Sequence, residues 1–265
     1  MIEDPGVMRV ALRDTLVDLG LLRCDDLDDL RVYSYTDRCV FKRAWNDLTL
    51  NSRGIIFNRV TGECVAQPFP KFFMVGETPD LDESVLPWDR VERITEKLDG
   101  FLGILYRPPG GGFAVATRGS FHTEAAVWAT ESVQGHGLAG LPDVVTLCFE
   151  LVHPMTRVVV DYHGRQDLVL LAAFNRHTGL EYPWSQVQAW AESFGFPLPR
   201  EYPADMANLC QTLATADGSE FEGFVVSFAG EPGDGGPFRA KLKTADYLAR
   251  FRALSASRRG LVCFS

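Results

Sequence analysis

The sequence lacks the features that mark membrane-spanning and secreted proteins. No apolar run in its 265 residues approaches the roughly 18 residues that are needed to cross a bilayer. Near the N-terminus stand Glu3 and Asp4, where a secretory signal would carry positive charge. We therefore expect a cytoplasmic protein that has no membrane partner.

The sequence is equally short of recognisable metal and phosphate motifs. Its six cysteines lie far apart, with no CxxC pair and no Cys/His cluster, so free thiols are expected rather than a zinc site or disulfides. The five histidines form no ligand set with carboxylates. The glycines at 110–112 lack the Lys-Ser/Thr of a P-loop. These absences exclude the commonest classes of zinc-binding protein and the P-loop class of nucleotide-binding protein.

Positive charge is also scarce overall, since the net charge is −9 and the pI is about 5.1. No global positive field therefore points to nucleic acid, which argues against a simple coating protein. A locally basic cleft remains compatible with this composition.

Apolar spacing and turn residues predict an α+β protein in which antiparallel sheet dominates. Helices are expected at 7–22, 123–134, 184–196, 206–218 and 245–260. Strands are expected at 31–37, 52–69 (a hairpin turning at 58–62), 95–107, 112–119, 144–152, 157–162, 168–176, 222–228 and 238–244. The Pro/Gly-rich stretches at 108–112 and 229–237 are expected to be hairpin connections.

One stretch, EKLDGFLGILYR from Glu96 to Arg107, places a lysine at the mouth of an apolar strand. By itself the K-x-D-G pattern of Lys97 to Gly100 is weak, because Asp-Gly is also a common hairpin turn. The motif alone is compatible both with a surface turn and with a chemically active lysine.

Further motifs follow in a fixed order around Lys97. They are SRGIIFN (52–58), PFPKFFMVGE (68–77), TRGSF (117–121), CFELVHPMTRVVVDY (148–162), FEGFVVSF (221–228) and AKLKTADY (240–247). As an ordered set, from Ser52 to Tyr247, they resemble the covalent nucleotidyltransferase superfamily of ligases and capping enzymes. Within it the sequence is most similar to the ATP-dependent RNA ligases of the bacteriophage tRNA-repair type.

The resemblance implies an antiparallel-sheet-rich nucleotidyltransferase fold, an ATP-grasp-like ligase adenylyltransferase domain. We expect one adenylyltransferase domain over 1–265, with the N-terminal helix and first hairpins (1–95) packed on the catalytic core. No separate C-terminal specificity domain is expected.

The resemblance implies that Lys97 is the nucleophile, with Lys241 and Lys243 as catalytic partners. A lysine amine must be unprotonated to attack phosphorus, and nearby cations and partial burial favour that form. Lys241 and Lys243 alternate along a strand, so their side chains share one face. The alternative for this pair is a solvated strand edge.

The resemblance also implies a set of nucleotide-binding residues: Arg53, Lys71, Phe73, Glu96, Lys97, Gly100, Arg118, Glu150, Glu222, Lys241 and Lys243. At position 118 the family pattern has lysine. Each of three residues also has a purely structural alternative. Arg53 could be a surface charge on a hairpin, Lys71 could extend its ammonium group to solvent past apolar neighbours, and Phe73 could be a core ring.

Two acids stand in apolar strands, where an unpartnered carboxylate is costly. Glu150 and Glu222 are therefore expected to meet a ribose, a metal or a lysine, and with Tyr247 they are the predicted metal residues. Structural ion pairs to the active-site lysines are the alternative for both acids.

The implied reaction uses ATP and Mg²⁺ (or Mn²⁺) to join RNA ends bearing a 5′-phosphate and a 3′-hydroxyl, through lysyl-AMP and adenylylated RNA, in RNA (tRNA) repair. An end-healing or specificity partner protein is a further expectation. DNA-end ligation, GTP-using capping chemistry and a non-sealing RNA-end-binding module stay open as alternatives.

Overall fold

The computed structural model of the protein describes residues 5–230 and 238–262. The chain divides into two compact units, each assembled from three separate segments. Unit 1 comprises 1–71, 101–151 and 168–198, and unit 2 comprises 72–100, 152–167 and 199–265. The expectation that 1–265 works as one adenylyltransferase domain stays a prediction.

The elements follow one another along the chain as helices α1 to α7 and strands β1 to β12. The helices are α1 (Pro5–Asp18), α2 (Asp37–Phe41), α3 (Asp47–Asn51), α4 (Glu124–Val133), α5 (Trp184–Phe194), α6 (Met206–Thr215) and α7 (Ala245–Val262). The strands are β1 (Leu22–Leu27), β2 (Leu30–Tyr35), β3 (Arg53–Asn58), β4 (Cys64–Ala66), β5 (Val91–Lys97), β6 (Phe101–Tyr106), β7 (Ala114–Thr117), β8 (Val145–Val152), β9 (Asp167–Asn175), β10 (Glu201–Tyr202), β11 (Gly223–Phe228) and β12 (Phe238–Lys243).

Unit 1 carries two four-stranded sheets, ordered β1-β2-β3-β4 and β7-β6-β8-β9. In the first sheet Tyr33 and Phe57 are buried in a core shared with Val10 of α1. In the second, Phe149 of β8 and Val187 of α5 belong to one large apolar cluster. Each sheet thus buries one face against its own helices, as an antiparallel sheet of an α+β protein does.

Unit 2 carries one sheet, ordered β10-β5-β11-β12, whose strand pairs are antiparallel. Alternate residues on one face, including Ile94, Phe224 and Ala240, form a core with Leu209 of α6. The residues between them must project from the other face, because side chains alternate along a strand. That other face holds the lysines discussed below.

These observations confirm the predicted fold class, α+β with antiparallel sheets. The predicted helix at 184–196 is confirmed, and it ends at Gly195, which has a φ of +71°. The predicted turn after Asn58 is confirmed too, since its side chain accepts hydrogen bonds from the backbone of Val60 and Thr61.

Two expectations about strands were wrong, and a further strand was missed. Residues 157–162 form no strand, because their amides bond elsewhere: those of Val159 and Val160 donate to the Asp99 side chain, and that of Asp161 donates to the carbonyl of Ser219. Lys97 ends β5 instead of opening the strand that follows. The acidic strand β1 was not predicted.

Two further expectations concern cysteines and membrane contact. The five cysteines within the described residues are free. None of the helices in 5–230 and 238–262 combines the length and apolar character that a membrane span requires. Cys263 and most of the predicted loop at 229–237 lie outside the described residues.

Candidate functional site

The ends of three strands in unit 2 place two lysines and a glycine in one row. Gly223 on β11 lies opposite Lys97 on β5 and opposite Lys243 on β12. Directly paired residues share a face of an antiparallel sheet, so both lysines project from the same face. The residue between them has no side chain, which leaves room for the two ammonium groups to approach one acceptor.

That acceptor is Glu222, the residue just before β11. One oxygen of its carboxylate accepts a hydrogen bond from Lys97 Nζ at 2.9 Å, and the other pairs with Lys243 Nζ at 2.7 Å. The Glu222 side chain is only 2% exposed, and two cations offset the cost of burying it. The structure therefore shows the ion-pair alternative for Glu222.

A side chain at position 223 would break this row. Gly223 has a φ of +149°, and an added Cβ would lie 2.0 Å from the carbonyl oxygen of Leu242. Because that neighbour is backbone, β11 and β12 would have to separate. We expect Gly223→Ala to cost about 3 kcal/mol or more and to lower the Tm by about 2–4 °C for each kcal/mol. Thermal unfolding followed by circular dichroism measures this loss.

Gly110→Ala is the matched control, because no heavy atom lies within 4 Å of its added Cβ. Its free energy of unfolding should change by less than ~0.5 kcal/mol. Equal Tm shifts in the two variants would contradict the packing argument for Gly223.

Lys241, two residues before Lys243, lies on the same face of the sheet. Its amide donates to the carbonyl of Phe73 at 3.0 Å, and its carbonyl accepts from Val75 at 3.0 Å. Its ammonium lies 4.9 Å from the ring centre of Phe72. The 72–75 segment therefore covers the outer edge of β12 at this point, so the solvated-edge alternative does not describe Lys241.

Asp99, in the K-x-D-G motif, is buried and heavily bonded. One carboxylate oxygen accepts from the amides of Val159 and Val160 at 2.7 and 2.8 Å, and the other accepts from the Tyr247 hydroxyl at 2.8 Å. The Asp99 amide donates to the Tyr162 hydroxyl at 2.8 Å. A solvent-exposed turn is thus excluded, and Asp99 fixes the chain that leaves Lys97 and runs through Gly100.

Tyr247 supports the same cluster from α7. Its side chain is 2% exposed, and the Lys243 ammonium lies 4.7 Å from its ring centre. Burial, and then the Glu222 and Asp99 carboxylates, raise the pKa of the Tyr247 hydroxyl far above its ordinary value, so it remains a neutral donor. Its predicted role at a metal stays a prediction.

Glu96 precedes Lys97 and projects from the opposite face of the sheet. Its amide donates to the carbonyl of Arg200 at 2.7 Å. Burial raises the pKa of the Glu96 carboxyl, and the charges of Arg165 and Arg200 partly oppose that rise. The structure therefore groups Glu96 with two arginines, and its contact with a nucleotide stays a prediction.

In unit 1, two predicted cations flank a pair of aromatic rings. The Arg118 guanidinium lies 5.0 Å from the ring centre of Tyr35, and the Tyr35 and Trp45 rings meet edge to face at 5.2 Å. The Lys71 ammonium lies 5.4 Å from the ring centre of Trp45. We call Arg118, Tyr35, Trp45 and Lys71 the cation–aromatic row. Sequence reasoning missed both rings, of which Tyr35 ends β2 and Trp45 stands two residues before α3.

The other predicted residues of unit 1 lie on β3 and β8. Arg53 begins β3, and Gly54 follows it with a φ of +101°. A Cβ at Gly54 would lie 3.3 Å from the Arg118 Cα, so this glycine allows the two chains to approach closely. Glu150 lies opposite Leu102 of β6. The structure thus brings the backbones of the Arg53 and Arg118 segments together.

A model of the RNA ligase family matches residues 51–247, which is most of the chain. The chain belongs to the RNA ligase family. The matched range nearly coincides with the span from Ser52 to Tyr247 that the motifs delimit. The resemblance that was drawn from those motifs is therefore confirmed.

The sequence relatives of this chain are distant. It is 27% identical over 186 residues to a Thermovibrio ammonificans protein named "Putative RNA ligase", a match that covers 65% of this chain and 46% of that protein. The chain spans less than half the length of the curated relatives it matches.

Solved structures with the same fold include two RNA ligases. An archaeal ATP-dependent RNA ligase matches with a TM-score of 0.62 and 17% identity, covering 94% of this chain and 66% of that one. An RNA ligase mutant from Naegleria gruberi, solved with ATP and Mn, matches with a TM-score of 0.51 and 15% identity, covering 71% and 60%. At these identities the likeness shows the fold, which is the nucleotidyltransferase fold that was expected.

Proposed function

We propose that this protein is an ATP-dependent RNA ligase that joins a 5′-phosphate to a 3′-hydroxyl. The observation that carries the proposal is the Lys97–Glu222–Lys243 cluster: a lysine at a strand end, held through a buried carboxylate beside a second lysine. The family match and the archaeal neighbour, which is described as ATP-dependent, support it.

In the first step the Lys97 amine attacks the α-phosphorus of ATP. A nitrogen–phosphorus bond forms, the bond between the α-phosphorus and its bridging oxygen breaks, and pyrophosphate leaves. The amine must lose its proton first, and Glu222 is the acceptor already bonded to it at 2.9 Å. Lys243 and Lys241 then balance the charge on the departing phosphates.

The remaining steps transfer and release AMP. An RNA 5′-phosphate oxygen attacks the phosphorus of lysyl-AMP, which frees Lys97 and forms a 5′–5′ pyrophosphate linkage. A 3′-hydroxyl then attacks the RNA phosphorus, a phosphodiester forms, and AMP leaves. Positioning and charge neutralisation are the main contributions a protein makes to such phosphoryl transfers.

The nucleotide contacts that are proposed for unit 1 are Arg53, Lys71, Arg118 and Glu150. Arginine can hold a phosphate through two hydrogen bonds, while lysine offers a mobile point charge. The Arg118 guanidinium lies 5.0 Å from the ring centre of Tyr35 and donates a hydrogen bond to the Tyr35 hydroxyl at 3.4 Å. These assignments, like those of Phe73, Glu96 and Gly100, rest on the resemblance.

A divalent cation, Mg²⁺ or Mn²⁺, is part of the proposal. Within 5–230 and 238–262, no three His, Cys, Asp or Glu side chains converge as a metal cage would require. This fits an ion that is held mainly by substrate phosphates and water with one or two carboxylates, as Mg²⁺ commonly is. Glu150 and Glu222 are the candidate carboxylates, and the metal would supply Lewis-acid activation of the phosphate.

The proposal is tested by offering α-labelled ATP and α-labelled GTP in parallel, each with Mg²⁺ or Mn²⁺. ATP should label the protein and GTP should not. Addition of a 5′-phosphorylated single-stranded RNA should then remove the label and yield a sealed product. Labelling by GTP would assign capping chemistry, sealing of DNA alone would assign DNA ligation, and labelling without sealing would assign a non-sealing module.

A further inference from the structure

An aromatic side chain in unit 1 is presented to solvent beside two cations. Phe41 ends α2 and is 90% exposed, and Lys42 and Arg43 follow it, both exposed as well. Exposed single apolar residues are common, but a ring exposed to this extent removes little apolar area from water and contributes little to the core. We call residues 36–44 the Phe41 loop.

Hydrogen bonds order the backbone of the Phe41 loop. The Thr36 hydroxyl caps α2 by accepting from the amide of Cys39, whose side chain is fully buried. The next amides are all bonded: Lys42 donates to Arg38, Arg43 to Val40 and Ala44 to Cys39. The exposure of Phe41 is therefore a property of an ordered turn.

Arg43 adds a second sign of function in this loop. Its φ is +49°, a left-handed conformation that non-glycine residues rarely adopt and that costs free energy unless the surroundings enforce it. Strain of this kind concentrates at functional positions, and here it lies two residues after the exposed ring.

The ends of the loop lie in the cation–aromatic row. The chain enters the loop from Tyr35 and leaves it at Trp45, the two rings that Arg118 and Lys71 flank. In sequence, the Phe41 loop is thus bounded on both sides by a ring of the cation–aromatic row.

The charge of the loop suits such a strand. Arg38, Lys42 and Arg43 are exposed, against one acid, Asp37, in a protein of net charge −9. Within the part of the chain that the structure describes, no carboxylate pairs with Lys42 or Arg43. Both cations are thus available to an outside anion.

We infer that the Phe41 loop is a docking surface for single-stranded RNA, with a base stacked on Phe41 and phosphates on Lys42 and Arg43. Stacking on an exposed ring combined with a basic flank is the usual way to bind single strands without reading their sequence. The inference deepens the proposed function, on which it rests, because it names a contact with the RNA away from the reacting end.

Binding of a fluorescein-labelled, 5′-phosphorylated single-stranded RNA, measured by anisotropy without ATP, tests the surface. Phe41→Ala should weaken binding about 5- to 100-fold, the usual effect of removing one base stack, while Phe41→Trp should retain it. Replacing Lys42 and Arg43 by alanine should reduce the slope of log affinity against log salt by roughly 0.7 for each phosphate that is no longer neutralised.

Inorganic polyphosphate, an anion without bases, separates stacking from charge. Its binding should be insensitive to Phe41→Ala and should fall when Lys42 and Arg43 are replaced. Val60→Ala is the matched control, since Val60 is also exposed in unit 1 and follows an arginine, and its RNA affinity should equal that of the wild type. Circular dichroism confirms that each variant is folded.

Wild-type RNA affinity in Phe41→Ala would overturn the inference, and self-association or binding of a protein through Phe41 would assign the patch to that partner instead. The docking surface and the ligase mechanism can be contradicted independently of each other. If ATP labels the protein but Phe41→Ala binds RNA normally, the docking surface alone is wrong. If ATP never labels the protein but RNA binding depends on Phe41, the ligase mechanism is wrong and the surface stands.

Discussion

A Lys97→Ala variant is expected to form no covalent adduct with AMP. The methyl side chain cannot attack phosphorus, and the other four lysines, Lys42, Lys71, Lys241 and Lys243, are not the residue that the family pattern assigns to this role. Incubation with α-labelled ATP and Mg²⁺, followed by denaturing electrophoresis, measures the adduct. Labelling should fall at least about 10³-fold, since without the nucleophile there is no covalent route.

Lys97→Arg separates the chemistry of this position from its structural role. A guanidinium keeps the positive charge opposite Glu222, but it stays protonated and does not act as a nucleophile. We expect this variant to retain a Tm near that of the wild type and to form no adduct. Persistence of a lysine-linked adduct in Lys97→Ala would show that another lysine is the nucleophile, and peptide mapping among the remaining four would identify it.

Local patterns in the sequence were sufficient to point to the residues that the fold brings together in unit 2. Lys97, Lys241 and Lys243 stand at alternate or terminal strand positions, and strand alternation alone places the last two on one face. The buried position of Glu222 also follows from its apolar neighbours. What the sequence could not decide was the partner of Glu222, because that depends on the pairing of β5, β11 and β12 across more than a hundred residues.

The strand that was wrongly predicted at 157–162 is a second case in which a contact between distant residues decides the structure. Three consecutive valines favour a strand, but a strand needs a neighbouring backbone to bond with. Here the Asp99 carboxylate accepts the amides of Val159 and Val160, and this contact spans about sixty residues of sequence. A side chain that takes the place of a neighbouring strand leaves no local signal in the sequence.

Unit 1 was less predictable at the residues that surround the predicted cations. Arg118 and Lys71 were expected from motifs, whereas Tyr35 and Trp45, the rings beside them, belong to no motif and were not predicted. The exposure of Phe41 was unforeseeable for the same reason, since a phenylalanine between Val40 and Lys42 fits a buried helix turn equally well. Only the fold distinguishes a buried ring from an exposed one at these positions.

The second large effect is expected for Glu222→Gln. An amide can accept a hydrogen bond from one ammonium group, but its NH₂ group then faces the other, so either Lys97 or Lys243 loses its carboxylate partner. Breaking a buried pair in this way commonly costs about 3–5 kcal/mol. For a chain of this size the Tm should therefore fall by about 6–20 °C. Adduct formation should slow at least about 100-fold, as it does when a preorganised charge is removed.

Glu220→Gln provides the matched comparison, because Glu220 lies two residues away but is exposed, with its carboxylate 3.4 Å from Nε2 of His163. Its stability should change by less than ~0.5 kcal/mol. A double-mutant cycle that combines Glu222→Gln with Lys243→Met then tests whether Glu222 stabilises the protein by holding Lys243. If Glu222 acts by holding Lys243, the stability losses of the two single variants should be strongly non-additive. Additive losses, or a Glu222→Gln protein that is adenylylated at the wild-type rate, would contradict the shared-carboxylate arrangement as the basis of the site.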